Sequence, residues 1–177
     1  MMLALVTIHG AREHPPTYAE GFARSLSEAA QTPVLLRPVW YGDLIQRRYR
    51  TPLILNIPAY IWALPRLRSR VREAFVDLDP AQTCLVTHSW GTVIACNLVP
   101  HDKVRTWVTF GSYPYFPLWF TPWPRVEEWH NFWSPTDVLS APWEMACNHE
   151  IPSLRHTPMW ADPHRAQWVA NIWSKDG

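Results

Sequence analysis

Cysteine is scarce in this sequence, and the little there is follows no spacing. The 177-residue chain has three, Cys84, Cys96 and Cys147. That is an odd number, with neither the paired ligands of a structural metal site nor a disulfide framework. Cys84 and Cys96 fall in apolar runs, where a free thiol behaves as a small hydrophobe. A reducing, cytoplasmic compartment is the expectation. Long apolar runs are missing too, since none approaches the roughly 20 residues of a membrane span. The opening MMLALVTIHG lacks the basic lead and the length of a signal peptide. Net charge is nearly absent, at +1, which argues against a general polyanion binder and predicts no nucleic-acid partner. With no repeat, low-complexity tract or composition break, residues 1–177 are expected to form a single domain.

What is present is a globular composition, 47% hydrophobic and 18% charged, enough apolar surface to bury a core. Twelve tryptophans and eighteen prolines call for large aromatic packing surfaces and ordered, irregular loops. Apolar runs at 3–8, 34–39, 83–88 and 104–110 read as strands, and EWHNFW (128–133) as a fifth. Between them lie helical patterns. Thr17 and Glu20 form a T-x-x-E capping box ahead of Phe22 and Leu26. PLILNIPAYIWALP (52–65) is cut by Pro58 and reads as a broken helix. Leu67, Val71, Phe75 and Leu78 keep helical spacing up to the stop at Asp79-Pro80. WGTVIACNLV (90–99) is a helix, and Asp162-Pro163 supply an N-cap and first-position proline for the last one. Strands alternating with helices predict an α/β fold, a mostly parallel sheet of about five or six strands covered by helices on both faces. Ligands in such sheets bind beyond the carboxyl ends of the strands. His9, His88, Gly111 and Asp137 all fall at or just after a strand end.

The tightest junction is THSWGT, residues 87–92, where a strand turns directly into a helix. Such a turn needs a small residue beside its centre, here Gly91, and it exposes the central side chain at a helix N-terminus. T-H-S-W-G resembles the G-x-S-x-G nucleophile elbow of the α/β-hydrolase superfamily, with Thr87 in place of the first glycine. That resemblance implies Ser89 as nucleophile. It also implies an oxyanion hole from the backbone amides of Trp90 and of Ala11, in the loop after the His9-Gly10 strand end. N-F-W-S-P-T-D-V resembles the N-[FW]-x-x-x-x-D-x-[VL] pattern of lipase- and esterase-like members and implies Asp137 as the acid. H-T-P-M-W is similar to the segment before the last helix in short members, which implies His156 as the base. His149 and His164 also follow Asp137 in chain order and remain alternatives. His88 is expected to point away from the turn as a packing or hydrogen-bonding residue. The four histidines between 130 and 164 match no H-E-x-x-H spacing, so no metal and no cofactor are expected.

The loop YPYFPLWFTPWP (113–124) is almost wholly aromatic, aliphatic or proline. With His9, Gly10, Tyr113 and Phe116 it would wall a substrate pocket, and it would equally suit packing on the core or on another subunit. Between Asp43 and Glu73 there is no acidic residue, while Arg47, Arg48, Arg50, Arg66, Arg68, Arg70 and Arg72 bracket an apolar stretch. Such charge forms a solvated, ion-paired face, with contact to an anionic membrane surface as the second reading. The resemblance thus implies a serine esterase or lipase-like hydrolase acting on a small-molecule or lipid-like acyl substrate, with thioesters and amides as chemically adjacent substrates. Acyl transfer and peptidase activity would use the same residues. A non-catalytic module of the same fold, binding a partner through its aromatic surface, is the rival from another class.

Overall fold

The computed structural model describes residues 2–10, 15–45, 57–112, 125–152, 154–156 and 159–174. Six strands, β1 (Leu3–Ile8), β2 (Val34–Val39), β3 (Thr83–His88), β4 (Thr106–Phe110), β5 (Glu128–Trp133) and β6 (Cys147–Glu150), form one sheet in the order β2-β1-β3-β4-β5-β6. Every neighbouring pair is parallel. The expected α/β architecture is therefore observed, and the sixth strand is one that apolar periodicity did not place. CNHE is largely exposed and has no alternating pattern. It is a strand because its backbone pairs with β5, His130 opposite Cys147.

Strand alternation sorts the core into two layers. From β1, Ala4, Val6 and Ile8 pack with Leu44, Ala63, Leu67 and Val71, and with the helix after β3. Leu3 and Leu5 face the opposite layer with Phe22, Leu26, Ala166 and Val169. The first layer holds α2 (Gly42–Ile45), α3 (Ile57–Ala74) and α4 (Trp90–Leu98). The second holds α1 (Glu20–Ala30) and α5 (Pro163–Trp173). Tryptophan fills the layers by stacking. Trp107 lies flat on Trp129 with centroids 4.8 Å apart, Trp143 follows at 5.0 Å, and Phe110, Phe132 and Trp168 form a second column on the other face.

Two local expectations are corrected. The Thr17–Glu20 capping box does not form: α1 begins at Glu20 with Ala19 as N-cap and no side-chain cap, and the Thr17 carbonyl instead accepts the Glu20 N–H. The stretch after Pro58 is one helix from 57 to 74 rather than a broken one. Pro58 sits in its first turn, where an N–H has no helical acceptor to lose. The helix ends at Ala74, and Phe75 and Leu78 are buried in the turn beyond it. At the far end, Asp162 caps α5 as expected, accepting the His164 N–H, with Pro163 first in the helix. Among the described residues no helix is long and apolar enough to cross a membrane.

The sheet order decides where a site can lie. The chain leaves β1 outward to β2, then returns across to β3 on the other side of β1. The connections after β1 and β3 thus diverge and open a crevice at the carboxyl ends of these strands. His9-Gly10 and Ser89 lie there.

Candidate active site

Ser89 is held in a conformation that few non-glycine residues adopt, φ 52° and ψ −122°, between β3 and α4. Its N–H donates to the Phe110 carbonyl at 3.1 Å, and its own carbonyl accepts the Thr92 N–H at 3.0 Å. These bonds impose the turn, which aims the hydroxyl out of the sheet edge at the positive end of α4. Gly91 is required by crowding. A β-carbon there would lie 2.3 Å from the Ile8 carbonyl oxygen and 2.6 Å from that of His9. α4 therefore starts directly on the backbone of β1.

Thr87, which stands where the elbow pattern has glycine, is fully buried and serves as a polar tie. Trp107 Nε1–H donates to its Oγ1 at 3.0 Å, Thr87 and Thr92 hydroxyls lie 2.9 Å apart, and Thr92 and Ser112 hydroxyls 2.6 Å apart. Ser112 donates onward to the Phe110 carbonyl. Since each hydroxyl has one hydrogen, the chain runs in one direction from Trp107 through Thr87, Thr92 and Ser112. It bonds β3, β4 and α4 together beneath the turn.

Asp137 and His156 reach the same place from different loops. Asp137 lies in the β5–β6 connection, its side chain only 8% exposed. Its Oδ1 accepts the Leu139 N–H at 3.0 Å, leaving Oδ2 for the His156 ring. Asn131 braces this loop. Its amide donates to the Ala141 carbonyl and to Asn148 Oδ1, and its Oδ1 accepts from Thr109. The asparagine of the sequence pattern thus has a mechanical role in seating the acid. His156 Nδ1 is 2.8 Å from Asp137 Oδ2, and His156 Nε2 is 3.1 Å from Ser89 Oγ. Gly111, at φ 57°, leaves room for that ring, as a β-carbon would come within 3.0 Å of His156 Nδ1.

The backbone just before His156 is tethered by a residue the sequence did not single out. Arg165 on α5 is 2% exposed, donates to the Arg155 carbonyl, covers the Phe110 ring and lies 3.4 Å from Asp162. Burial lowers its pKa from the usual guanidinium value, opposed by the Asp162 carboxylate. Only its distance in sequence from the histidine hid it.

Other expectations are placed as follows. His149 belongs to β6, with its Nε2 3.0 Å from His130 Nδ1, and His164 is exposed on α5. Neither is the histidine bonded to Asp137. His88 does not point away. Its buried ring lies 4.7 Å from the His156 ring and beside Gly10. His9 is fully buried. It stacks on Tyr41 at 4.0 Å, while the Tyr41 hydroxyl lies 2.8 Å from both the His9 and Gly10 carbonyls, fixing this strand end from below. Tyr18 completes that cluster, bonded to Thr7, and burial raises its pKa strongly. A β-carbon at Gly10 would come 3.1 Å from that of Ser89, so glycine leaves this approach open. The Trp90 amide opens α4, adjoining Ser89. Ala11, Tyr113 and Phe116 lie outside the described residues. Of the arginine-rich stretch, Arg70 forms a two-bonded pair with Asp43 at 2.6 and 2.7 Å, and Arg66 covers exposed Trp62. Arg47, Arg48 and Arg50 are not among the described residues. Burial pushes the Cys84 and Cys96 thiols up to about 12, consistent with inert core residues.

No protein-family model and no curated protein sequence matches the chain. Among solved structures it is similar to a crystal structure from Xanthomonas campestris pv. campestris described as a "putative hydrolase of the alpha/beta superfamily". The two share 17% identity over 98% of this chain and 99% of that one, with a TM-score of 0.58. The likeness spans the sheet and both helical layers, and the chain has the fold of that alpha/beta-superfamily protein.

Proposed function

We propose that the protein is a serine hydrolase that cleaves a carboxylic ester through an acyl-enzyme on Ser89. The single observation that carries this reading is the bonded series Ser89 Oγ, His156 and Asp137, with steps of 3.1 and 2.8 Å. The structural neighbour's description as a hydrolase supports the same class.

In this mechanism Asp137 accepts the His156 Nδ1–H and so fixes the tautomer that leaves Nε2 as the base. Ser89 Oγ attacks the carbonyl carbon as its proton passes to Nε2. The charge developing on the carbonyl oxygen meets the Trp90 amide at the positive end of α4, with the Ala11 amide as the second donor. One such donor contributes roughly 3–4 kcal/mol to the transition state. His156 then returns the proton to the leaving alcohol. Water attacks the acyl-enzyme by the same route, its proton passing through His156 back to Ser89 as the acid departs. The strain at Ser89 keeps its oxygen extended toward this line of attack.

The test is labelling with a fluorophosphonate probe and mapping of the modified residue by mass spectrometry. Label on Ser89, lost in Ser89→Ala with an unchanged circular dichroism spectrum, is the expected result. Absence of label, or label retained in Ser89→Ala, refutes it and favours the partner-binding module. A panel of acyl esters of graded length then distinguishes whether residues 113–124 set chain-length preference.

A further inference from the structure

The Cys147-x-His149 segment carries no recognisable metal spacing, yet the sheet gives it a third member. β6 pairs with β5 so that Cys147 lies opposite His130 and His149 lies opposite Phe132. In a strand, residues two apart share a face, and directly opposed residues on parallel neighbours share it too. His130, Cys147 and His149 therefore project from the same side of the sheet edge. A nitrogen of each ring and the Cys147 Sγ all lie within 4.8 Å of one another.

We propose that these three side chains form a His2Cys site for a thiophilic divalent transition metal, zinc above all, separate from the Ser89 site. Zinc–nitrogen bonds of about 2.0–2.1 Å and zinc–sulfur bonds of about 2.3 Å place tetrahedral ligands roughly 3.3–3.7 Å apart. Ligation requires the two facing nitrogens, now 3.0 Å apart, to part slightly and the Cys147 Sγ, within 4.8 Å of both, to turn toward them. His130 Nδ1 and His149 Nε2 already face each other at 3.0 Å. One of these nitrogens holds a proton that the other accepts. Inserting a cation moves that proton to the outer nitrogen of its own ring and leaves two lone pairs directed at the metal. The His149 ring is fixed for this purpose by stacking on Phe132 at 4.6 Å and facing His130 at 5.3 Å.

The thiol chemistry agrees. Cys84 and Cys96 are buried with pKa values of about 12, whereas Cys147 is exposed. It is the accessible one of the three, and it is the one with two imidazoles beside it. A thiolate with two imidazoles selects zinc over magnesium or calcium, which take oxygen ligands. Three protein ligands leave a fourth position for water. Because β6 is short and, among the described residues, paired on one side only, the metal would fasten this edge strand to β5.

The test uses untagged full-length protein, stripped with a chelator and titrated with Co(II). Expected is a one-to-one complex with a near-ultraviolet thiolate-to-cobalt charge-transfer band and visible bands of a four-coordinate ion, both displaced by Zn(II). Cys147→Ser should abolish the charge-transfer band. His130→Ala and His149→Ala should each weaken cobalt binding by at least about tenfold, while His101→Ala leaves it unchanged. Zinc should raise the melting temperature of the wild type and not of Cys147→Ser. No charge-transfer band, a band that survives Cys147→Ser, or binding indifferent to both histidine variants overturns the proposal. Fluorophosphonate labelling of Ser89 in Cys147→Ser should match wild type, so the two proposals fail independently.

Discussion

Replacing Gly91 with alanine tests whether the contact between β1 and α4 sets the site. The added carbon would stand 2.3 Å from the Ile8 oxygen, and real β-carbons do not approach closer than 3.0 Å, so about 0.7 Å of backbone movement is required. β1 is paired on both sides, by β2 and β3, which leaves the start of α4 to move. Overpacking of this kind costs about 1–3 kcal/mol. For a chain of this length each kcal/mol lowers the melting temperature by roughly 2–4 °C, so the expected fall is about 2–12 °C. Ser89 and Trp90 ride on the displaced turn. A 1 Å misplacement of reacting groups costs about a hundredfold, so fluorophosphonate labelling should slow by roughly ten- to a hundredfold. Gly21→Ala is the control, because among the described residues nothing lies within 4 Å of a β-carbon at this exposed position of α1. There the substitution should stabilise the protein by roughly 0.5–1 kcal/mol through helix propensity. The assays are thermal melting by circular dichroism and the rate of probe labelling. A Gly91→Ala protein that melts and labels like wild type would refute the close approach as the element that positions Ser89.

Three further outcomes follow from the same geometry. Ser89→Gly accepts φ 52° without strain, so it should be about 1 kcal/mol more stable than Ser89→Ala in urea denaturation. Equal stability would mean the turn is unstrained. Thr87→Val strands the Trp107 Nε1–H and removes one of the two bonds of the Thr92 hydroxyl, which keeps Ser112, and urea unfolding should show a loss of about 1–3 kcal/mol. A loss smaller than about 0.5 kcal/mol, the scale of an ordinary surface change, would remove the hydroxyl chain from the account. His101, half-buried and stacked on Trp107 at 5.9 Å, has its pKa lowered chiefly by burial. Protonation therefore favours the unfolded chain. The contribution is complete above the ordinary imidazole value of about 6.5 and is lost as pH falls through the lowered folded value. Urea midpoints measured from pH 7.5 down to pH 5 should fall less steeply in His101→Gln than in wild type, and identical slopes would contradict the assignment.

Local pattern made much of this molecule legible. The strands at 3–8, 34–39, 83–88 and 128–133 are apolar or alternating, and their bounds follow from the turn residues around them. The last helix follows from Asp162 and Pro163. The elbow at Ser89 could be read because strand, turn and helix are contiguous there, and the chemistry of a tight turn is written in neighbouring residues. Asp137 and His156 could be named as partners by pattern. Where patterns were purely local but the context was tertiary, expectations failed. Thr17 and Glu20 suit a capping box, yet the chain stays in turns until Glu20. Pro58 looked like a break, yet it falls in the first turn of α3, where it removes no helical bond.

What the amino-acid sequence determined alone is thus most of the elements, their apolar faces and the turn that exposes Ser89, because each depends on residues within a few positions of one another. Tertiary structure alone decided which strands are neighbours. It assigned CNHE to the sheet, stacked the tryptophans into columns, brought Arg165 under the backbone of His156 and set His130 against Cys147 and His149. Those relations depend on register and on layers closing over the sheet. Nothing in the spacing of residues tens of positions apart encodes a distance until hydrophobic burial and backbone pairing together fix it.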